Sequence, residues 1–394
     1  MFDFNSAKER VDKVTNRTHL FYSDYFSGIS NNNVYIKPEN LQKTGSFKIR
    51  GAYNKICKLS EEEKAKGIIT ASAGNHAQGV AFSANDLGID ATICMPEQTP
   101  MIKVDGTLKY GAKVDLFGEN FDACKDHALE RAEKEGLTFI PPFDDLDVIE
   151  GQGTISLEIL EDLEYVDYVI VPVGGGGLIA GVAKCIKQIS PLIKVIGVEP
   201  VSAASMKEAV KEGKVVKVKG VDTIADGTAV AEVGKYTYEI CKDYVDDWIT
   251  VTDEEVLMAF INLMERHKLV AEPSGALSLA ALQKVNFYNK NVVSIISGGN
   301  IDMSFISQLI NRGLFETGRI TRINVELPNI PGKLQELLSD IAYTKANVVT
   351  IDQDSLREAS RYKNINVEIT LETNGTEHVK KIHDLLNKKG YIIH

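Results

Sequence analysis

Short runs of β-branched and other apolar residues alternate with helix-length segments over most of the chain. Three such runs are each followed by a helix-length segment, at residues 67–70, 91–95 and 112–117. Three longer apolar runs are typical of strands that are buried on both faces, at residues 168–173, 194–198 and 291–296. The alternation predicts parallel sheets with crossover helices, arranged as two α/β lobes.

The pattern changes near residue 317, where apolar and polar positions begin to alternate as in a half-exposed strand. After an Asn-Ile-Pro-Gly turn at 329–332 comes a segment whose apolar residues fall on one face of a helix. Two strand-like segments, a second amphipathic helix and a short last strand follow. The order βαββαβ, in roughly 75 residues, predicts a compact ferredoxin-like unit.

Composition narrows the class of protein. A chain of 394 residues has room for two or three domains, and 44% hydrophobic and 25% charged residues are ordinary for a globular protein. The net charge of -11, with no dense cluster of Lys and Arg, argues against a nucleic-acid surface. We therefore expect small molecules and other subunits as partners, and no nucleic acid.

The five cysteines are widely spaced and odd in number, and they form no metal-ligand spacing. They predict a reducing compartment, with no disulfide framework and no metal site. The first ten residues lack the apolar core of a signal peptide, and no stretch approaches the roughly 18 apolar residues of a membrane span. A cytoplasmic location without a membrane partner is the expectation.

Lys48 is the most informative candidate residue. It follows Phe47 in the run Ser-Phe-Lys-Ile-Arg-Gly, and it lies between Gly45 and Gly51, which let the backbone turn and another group approach closely. An amine held in this way can form a Schiff base with a carbonyl of a substrate or of pyridoxal phosphate. The ordinary alternative is a surface lysine near a turn.

Residues 174–177 are four consecutive glycines between a buried strand and a helix. Such a loop can bring backbone N–H groups together around a phosphate at a helix N-terminus. Gly175-x-Gly177-x-x-Ala180 also matches the dinucleotide fingerprint, with Glu199 as its ribose-binding acid. The dinucleotide interpretation leaves Lys48 unexplained but stays open at this point.

Two further motifs follow predicted strands. Ser72-Ala-Gly-Asn-His76 could hold an anion such as a carboxylate, or it could be an ordinary helix N-cap, and His76 has no evident carboxylate partner. Ser297-Gly-Gly-Asn300 places a hydroxyl where ligands of open α/β sheets bind, although Ser297 could simply begin a turn.

Taken in order, these motifs resemble those of the threonine and serine dehydratases, which are fold-type II pyridoxal phosphate enzymes. The resemblance covers roughly residues 5–316, and the tail resembles an ACT domain, a regulatory module that binds amino acids. It implies a two-lobed catalytic domain like that of the tryptophan synthase β subunit at 1–316, with a small lobe at about 51–150, and an ACT-like regulatory domain at 317–394.

The resemblance also implies roles for individual residues. Lys48 would be the Schiff-base lysine, Phe47 would lie against the cofactor ring, Asn75 would bond the ring oxygen and Ser297 the pyridine nitrogen. The phosphate would be held by Gly174, Gly175, Gly176, Gly177 and Leu178. The residues expected around the substrate are Ser72, Gly74, His76, Asp226 and Glu272.

The implied reaction is α,β-elimination that converts L-threonine to 2-oxobutyrate and ammonia, and L-serine to pyruvate, in a homodimer or homotetramer controlled through the ACT-like domain. The preference between the two substrates stays open because one methyl group is worth only about 1–3 kcal/mol in a pocket. The effector also stays open, since an amino acid would suit a biosynthetic enzyme and a nucleotide a catabolic one.

Three alternatives remain at this stage. Serine racemases share the scaffold but resemble one another in having a serine where this chain has Ala73, and they bind a cation near the position of Glu199. Ser205 would be a poor ligand for that hard cation, so no metal is predicted there. The other two alternatives are a dinucleotide-dependent oxidoreductase and an amino-acid sensor with a vestigial catalytic lobe.

Overall fold

The computed structural model describes residues 2–354 and 363–394. The chain divides into two compact units, Met1–Asp302 and Met303–His394. The sequence predicted the division after residue 316. In the structure, the helix that covers 303–316 belongs by its contacts to the second unit. Within the described residues, no helix has the length and apolar character needed to cross a membrane.

The first unit is an α/β structure. Its strands are β1 (Phe21–Tyr22), β2 (Asn33–Pro38), β3 (Ile68–Ala71), β4 (Ala91–Met95), β5 (Lys113–Leu116), β6 (Thr138–Phe139), β7 (Tyr168–Pro172), β8 (Lys194–Pro200), β9 (Asp247–Val251) and β10 (Asn291–Ile296). Its α-helices are α1 (Phe4–Val11), α2 (Asp24–Ser30), α3 (Lys48–Cys57), α4 (Glu61–Lys66), α5 (Asn75–Asp86), α6 (Met101–Leu108), α7 (Phe121–Glu135), α8 (Leu146–Asp162), α9 (Gly177–Ile189), α10 (Ser205–Glu212), α11 (Lys235–Tyr244), α12 (Asp253–His267) and α13 (Pro273–Ala280).

A six-stranded sheet forms the large lobe, in the order β1-β2-β10-β7-β8-β9. All its neighbouring strands are parallel except β1 and β2. The three long apolar runs of the sequence coincide with β7, β8 and β10, which confirms them as strands buried inside the sheet. They tolerate continuous apolar sequence because helices cover both faces of such a sheet.

A four-stranded parallel sheet forms the small lobe, in the order β5-β4-β3-β6. The strand-like runs predicted at 67–70, 91–95 and 112–117 correspond to β3, β4 and β5. Each of these strands is followed by a helix, α5, α6 or α7 respectively, as the alternating pattern predicts. The prediction of two lobes built on parallel sheets is confirmed.

Glycine residues let helix α8 pack closely against helix α3 on one side and helix α9 on the other. A Cβ atom on Gly151 of α8 would lie 2.5 Å from the carbonyl oxygen of Arg50, and one on Gly181 of α9 would lie 2.3 Å from the carbonyl oxygen of Ile149. Only glycine permits such close backbone approach. Helix α8 therefore connects the helix that begins with Lys48 to the helix that follows the glycine loop.

The second unit has the predicted βαββαβ order after an initial helix. Its elements are α14 (Met303–Glu316), β11 (Ile320–Pro328), α15 (Lys333–Tyr343), β12 (Asn347–Asp354), β13 (Asn364–Glu372), α16 (Thr376–Lys388) and β14 (Ile392–Ile393). The strands pair antiparallel in the order β12-β13-β11-β14, which is the ferredoxin-like arrangement. Leu337, Ile341, Ile382 and Leu386 of the two helices are fully buried in its core.

Candidate active site

Lys48 lies at the start of α3 with its amine turned inward. Its Nζ donates a 2.7 Å hydrogen bond to the carbonyl oxygen of Pro142 and lies 5.3 Å from the centroid of the Phe47 ring. Burial lowers the pKa of Lys48 to about 8, although the negative charge of Glu272 opposes the shift. The neutral amine, which is the nucleophilic form, is therefore accessible near neutral pH.

A chain of hydrogen bonds crosses the site next to Lys48. The side-chain amide of Asn75 donates to Oε1 of Glu272 at 2.6 Å, and Nδ2 of Asn300 donates to Oδ1 of Asn75 at 2.7 Å. Glu272 is buried, and burial, followed by the negative charge of Asp226, raises its pKa to about 7. The site therefore contains a second group that can exchange a proton near neutral pH.

Ser297 lies at the end of β10 beside the Lys48 segment. It is buried, and its carbonyl oxygen accepts a 3.0 Å hydrogen bond from the backbone N–H of Phe47. The next residue, Gly298, lies so close to the Asn75–Glu272 pair that a Cβ there would be 2.4 Å from Oε1 of Glu272. The motif at 297–300 thus meets the motif at 72–76 at the carboxyl ends of the strands.

The glycine loop opens onto the N-terminus of α9. Gly176 has φ +93°, and no side chain among the described residues caps the helix that begins at Gly177. A Cβ on Gly175 would lie 2.4 Å from the Phe143 ring, and one on Gly174 would lie 2.9 Å from Cα of Thr228. The loop is confined to glycine, and the first N–H groups of α9 are left for an anion. Leu178, next along the helix, is buried in the large-lobe core.

The motif at 72–76 forms a similar turn between β3 and α5. Gly74 is the N-cap of α5, and within the described part of the chain no side chain caps it. The Ser72 hydroxyl accepts a 3.2 Å hydrogen bond from the N–H of Gly74. Neither Ser72 nor Asn75 therefore acts as the ordinary N-cap that the sequence left open, and the N-terminus of α5 is available to a carboxylate.

His76 is buried and neutral. One of its ring nitrogens, Nε2, lies 3.0 Å from the carbonyl oxygen of Ile140, which it meets as a donor. Burial, followed by the positive charge of Lys48, lowers the pKa of His76 to about 3. A ring that stays uncharged at neutral pH supports the position of α5 and cannot supply positive charge to a substrate carboxylate.

Asp226 lies at the rim of the site. It begins the short 3-10 turn Asp226–Thr228, it is exposed, and one carboxylate oxygen lies 3.4 Å from Nζ of Lys103. A Cβ on the adjacent Gly227 would lie 3.8 Å from Oε1 of Glu272. The turn that carries Asp226 therefore borders Glu272 and also packs against the glycine loop through Thr228.

The sequence missed the segment 140–145, which links Lys48 to the glycine loop. Pro142 accepts the hydrogen bond from Lys48, and the ring of Phe143 covers Gly175. Asp144 accepts hydrogen bonds from the backbone N–H groups at the start of α11, those of Lys235, Tyr236 and Thr237. A signal was present, since Pro-Pro-Phe-Asp-Asp follows β6 after one residue, at a strand end where ligands bind.

Glu199 does not occupy the position that the dinucleotide interpretation assigns to it. It is fully buried in β8, and its two carboxylate oxygens accept 2.8 Å hydrogen bonds from the backbone N–H groups of Met206 and Lys207. Burial raises the pKa of Glu199 to about 7. This carboxyl group therefore serves the N-terminus of α10, and the geometry contradicts a ribose-binding role.

Comparison with known proteins decides the family. Residues 11–298 match the family described as "Pyridoxal-phosphate dependent enzyme". The chain belongs to this family of pyridoxal-phosphate-dependent enzymes. Its cofactor is pyridoxal phosphate. The dinucleotide interpretation of the glycine loop is accordingly wrong.

The relatives of this pyridoxal-phosphate-dependent enzyme include threonine ammonia-lyases, also called threonine deaminases, and serine racemases. It is 46% identical over 390 residues to an L-threonine ammonia-lyase of Thermotoga maritima, covering 99% of this chain and 97% of the relative. Threonine deaminase isoform 2 of Solanum lycopersicum is 44% identical, with a TM-score of 0.75 over 78% of this chain and 92% of that one. Maize serine racemase has the same TM-score at 34% identity, over 79% and 97% of the two chains.

The residues present fit pyridoxal phosphate. The partly buried amine of Lys48 suits a covalent bond to the cofactor's aldehyde, and its pKa of about 8 makes the reactive neutral form more available than in an ordinary lysine. The glycine loop and the N-terminus of α9 suit the phosphate group, because no described side chain caps the first N–H groups of this helix. The fit rests on both ends of the site, the amine and the anion cradle.

Proposed function

We propose that this enzyme is a threonine ammonia-lyase, which converts L-threonine to 2-oxobutyrate and ammonia and also accepts L-serine. The observation that carries the proposal is sequence similarity over nearly the full length of the chain. The chain is 46% identical to the L-threonine ammonia-lyase of Thermotoga maritima and 45% identical to that of Geobacter sulfurreducens. These matches cover 99% and 98% of this chain, so they include both compact units.

The cofactor supplies an electron sink that stabilises negative charge at the substrate's α-carbon. The chain supplies the groups that bind the substrate and move its protons. Lys48 holds the cofactor at rest and, once freed, accepts the α-proton, a role for which its lowered pKa of about 8 suits it. The β-hydroxyl group then leaves with one proton as water, and the resulting enamine takes up one water molecule as it hydrolyses to 2-oxobutyrate and ammonia.

Other residues orient the reacting groups. Ser72 and the N-terminus of α5 at Gly74 bind the substrate carboxylate, helped by the helix dipole. The side-chain amide nitrogen of Asn75 carries two hydrogens, and one of them bonds Glu272. The other would donate to the oxygen on the cofactor ring. His76 supports this turn as a neutral ring, and Asp226 and Glu272 border the substrate.

Ser297 and Phe47 determine how the ring is held. A serine hydroxyl at the pyridine nitrogen cannot keep that nitrogen protonated as a carboxylate would, so charge at the α-carbon is less delocalised. That electronic state favours rapid loss of a β-leaving group. Phe47 would lie against the ring, and residues Gly174 to Leu178, at the uncapped start of α9, would hold the phosphate.

The second unit is proposed to be an ACT-like regulatory domain that binds a small effector, and the enzyme a homodimer or homotetramer. The catabolic L-threonine dehydratase TdcB of Escherichia coli is 48% identical and matches over 94% of its own length, but over only 78% of this chain. Nearly the whole relative is therefore matched without about a fifth of this chain, a share similar to that of the ferredoxin-like unit. This supports a regulatory role for that unit.

Serine racemisation is the second candidate function, because maize serine racemase is among the similar structures. Ala73 argues against it. A racemase requires a proton donor on the second face of the ring, and Ala73 is a methyl group packed against the small-lobe core. We expect elimination to exceed racemisation, and measurement of D-serine alongside pyruvate would test this.

Lys48→Ala, paired with Lys43→Ala, tests the proposal. Lys43 is an exposed lysine just before the motif that contains Lys48, so its loss controls for charge and handling. We expect wild type and Lys43→Ala to form 2-oxobutyrate from L-threonine and to show the visible absorption of bound cofactor, whereas Lys48→Ala loses the activity and alters the absorption. Bound cofactor without any 2-oxobutyrate from wild type would contradict the assignment to threonine.

A further inference from the structure

A second group of chemically reactive side chains lies in the small lobe, on the face of the sheet that packs against α7. The ligand atoms of Cys94, Asp115 and His127 all lie within 4.8 Å of one another. Cys94 and Asp115 are directly paired on the parallel strands β4 and β5, and His127 comes from α7. Three separate elements thus bring a thiol, a carboxylate and an imidazole to one point.

The contacts within the cluster centre on one carboxylate oxygen. Oδ2 of Asp115 lies 2.9 Å from Nε2 of His127 and 3.9 Å from Sγ of Cys94. The His127 ring stacks on Phe117, with 3.8 Å between the ring centroids and an interplanar angle of 10°. The imidazole is therefore held in one orientation by an aromatic neighbour and by the carboxylate.

This donor set matches a known preference. Thiolate, imidazole and carboxylate are the ligands that Zn²⁺ takes in proteins, with bonds of about 2.0–2.3 Å, which places neighbouring ligand atoms of a tetrahedral site about 3.5 Å apart. The separations in the cluster depart from that spacing by under about 1.5 Å. Shifts of that size in the three ligand atoms would form the site.

We propose that Cys94, Asp115 and His127 bind one zinc ion, a function separate from the proposed chemistry at Lys48. Cys124 lies three residues before His127 on α7 and is buried in the same cluster as Cys94, but its sulfur is not among the three ligand atoms that lie within 4.8 Å of one another. Burial, then the charge of Asp115, raises the pKa of the Cys94 thiol to about 12, and a bound cation would favour the thiolate.

Arg131 is the competing cation at this site. Its Nη1 donates to Oδ2 of Asp115 at 2.6 Å, while its Nε and Nη2 bind the two oxygens of Glu135 at 2.7 and 3.0 Å. If zinc binds Asp115, Arg131 therefore keeps its two hydrogen bonds to Glu135 on α7. The cluster is also accessible, because the side chains of Asp115 and His127 are 29% and 20% exposed.

The position of the cluster indicates a stabilising role. β5 is an edge strand, and the core on this face is small, consisting of Ile69, Ala71, Cys94, Cys124 and Ala128. An ion bound to Cys94, Asp115 and His127 would join β5, β4 and α7. Zinc binding is therefore expected to raise the unfolding temperature of the chain.

Co²⁺ added to the purified holoenzyme tests the proposal, because a tetrahedral thiolate site gives it absorption at wavelengths beyond the cofactor band. The variants are His127→Gln, which changes a partly exposed ring, and Cys94→Ser. The matched control is His19→Gln, since His19 pairs with Asp162 at 3.2 Å beside Arg17 in a similar His-Asp-Arg group.

We expect wild type and His19→Gln to bind one Co²⁺ per chain with this absorption, and His127→Gln and Cys94→Ser to lose it. Zn²⁺ should displace the Co²⁺. It should raise the unfolding temperature of wild type and His19→Gln but not that of His127→Gln or Cys94→Ser. Absence of the absorption in wild type would overturn the proposal. Its persistence in His127→Gln would also overturn it and would indicate adventitious binding elsewhere.

Discussion

The side-chain amide of Asn75 donates a 2.6 Å hydrogen bond to Oε1 of Glu272, and this bond joins the small lobe to the large one beside Lys48. Asn75 begins α5, and Glu272 directly precedes α13. The bond fixes the amide that is proposed to face the cofactor ring. It also holds a buried carboxyl group whose pKa is raised to about 7 next to the reactive amine.

Glu272→Gln should change how stability depends on pH. The pKa of Glu272 rises on folding, so between about pH 4.5 and 7 the folded state binds the extra proton and wild-type stability falls as pH increases. Glutamine keeps an oxygen for Asn75 and removes the titration. Relative to wild type, we expect the variant to gain on the order of 2 kcal/mol between pH 5 and 8.

Urea unfolding of the cofactor-free proteins at both pH values measures this difference, with the exposed substitution Glu62→Gln as the control. A constant difference between Glu272→Gln and wild type across this range would show that Glu272 ionises normally in the folded protein.

Gly175→Ala should weaken cofactor binding. The new Cβ would lie 2.4 Å from the Phe143 ring, so the ring or the loop must move and the N–H groups at the start of α9 lose their alignment. We expect at least about a tenfold loss of affinity for pyridoxal phosphate, which corresponds to about 1.4 kcal/mol. Titration of the cofactor-free protein by absorbance would measure it.

Adding Phe143→Ala to Gly175→Ala should restore part of that affinity, because it removes the clash. Gly28→Ala is the control, since a Cβ at Gly28 meets no described atom within 4 Å. Equal affinities for wild type and Gly175→Ala would contradict the view that Phe143 confines the loop.

Arg50→Met should strongly destabilise the first unit. The guanidinium of Arg50 is fully buried and bonds Glu39 at 2.7 and 2.8 Å and Glu158 at 2.6 Å. Removal of the arginine leaves buried carboxylates without their main counter-charge, although Lys37 still lies 2.5 Å from Glu158. We expect a loss of about 3–5 kcal/mol in the free energy of unfolding.

Arg17→Met provides the comparison, because Arg17 pairs with Glu161 and Asp162 at the surface, where such pairs contribute about 0–1 kcal/mol. Chemical unfolding of both variants measures the contrast. Similar small losses for the two would mean that the buried network does not hold α3 in place.

Asp144→Ala should lower activity more than stability. Asp144 accepts hydrogen bonds from the N–H groups of Lys235, Tyr236 and Thr237, and so anchors the segment whose neighbours are Pro142 and Phe143. Loss of this cap should cost about 0.5–2 kcal/mol and let the segment move relative to Lys48. Initial rates of 2-oxobutyrate formation and thermal unfolding, compared with exposed Asp122→Ala, would separate the two effects. Unchanged rates would contradict a positioning role for this segment.

Local pattern was sufficient for most of the fold. Continuous apolar runs identified β7, β8 and β10 because a strand buried on both faces needs no polar side, and the alternation after residue 317 identified β11 because one face of that strand is exposed. The order of motifs along the chain was enough to identify the family and its cofactor, since Lys48 and a run of four glycines each have a recognisable chemistry.

Tertiary structure decided the contacts between groups that are distant along the chain. Asn75 meets Glu272, Lys48 meets Pro142, and Cys94 meets Asp115 and His127, each across a separation that no local periodicity encodes. The protonation of Glu272 and His76 was likewise decided by burial and neighbouring charge, which exist only after folding. By itself the sequence determined which residue types were available and on which elements they lie, because those properties depend on neighbours a few residues away. Which of them touch depends on how strands and helices pack within each lobe and between the two lobes, because packing sets distances across the whole unit.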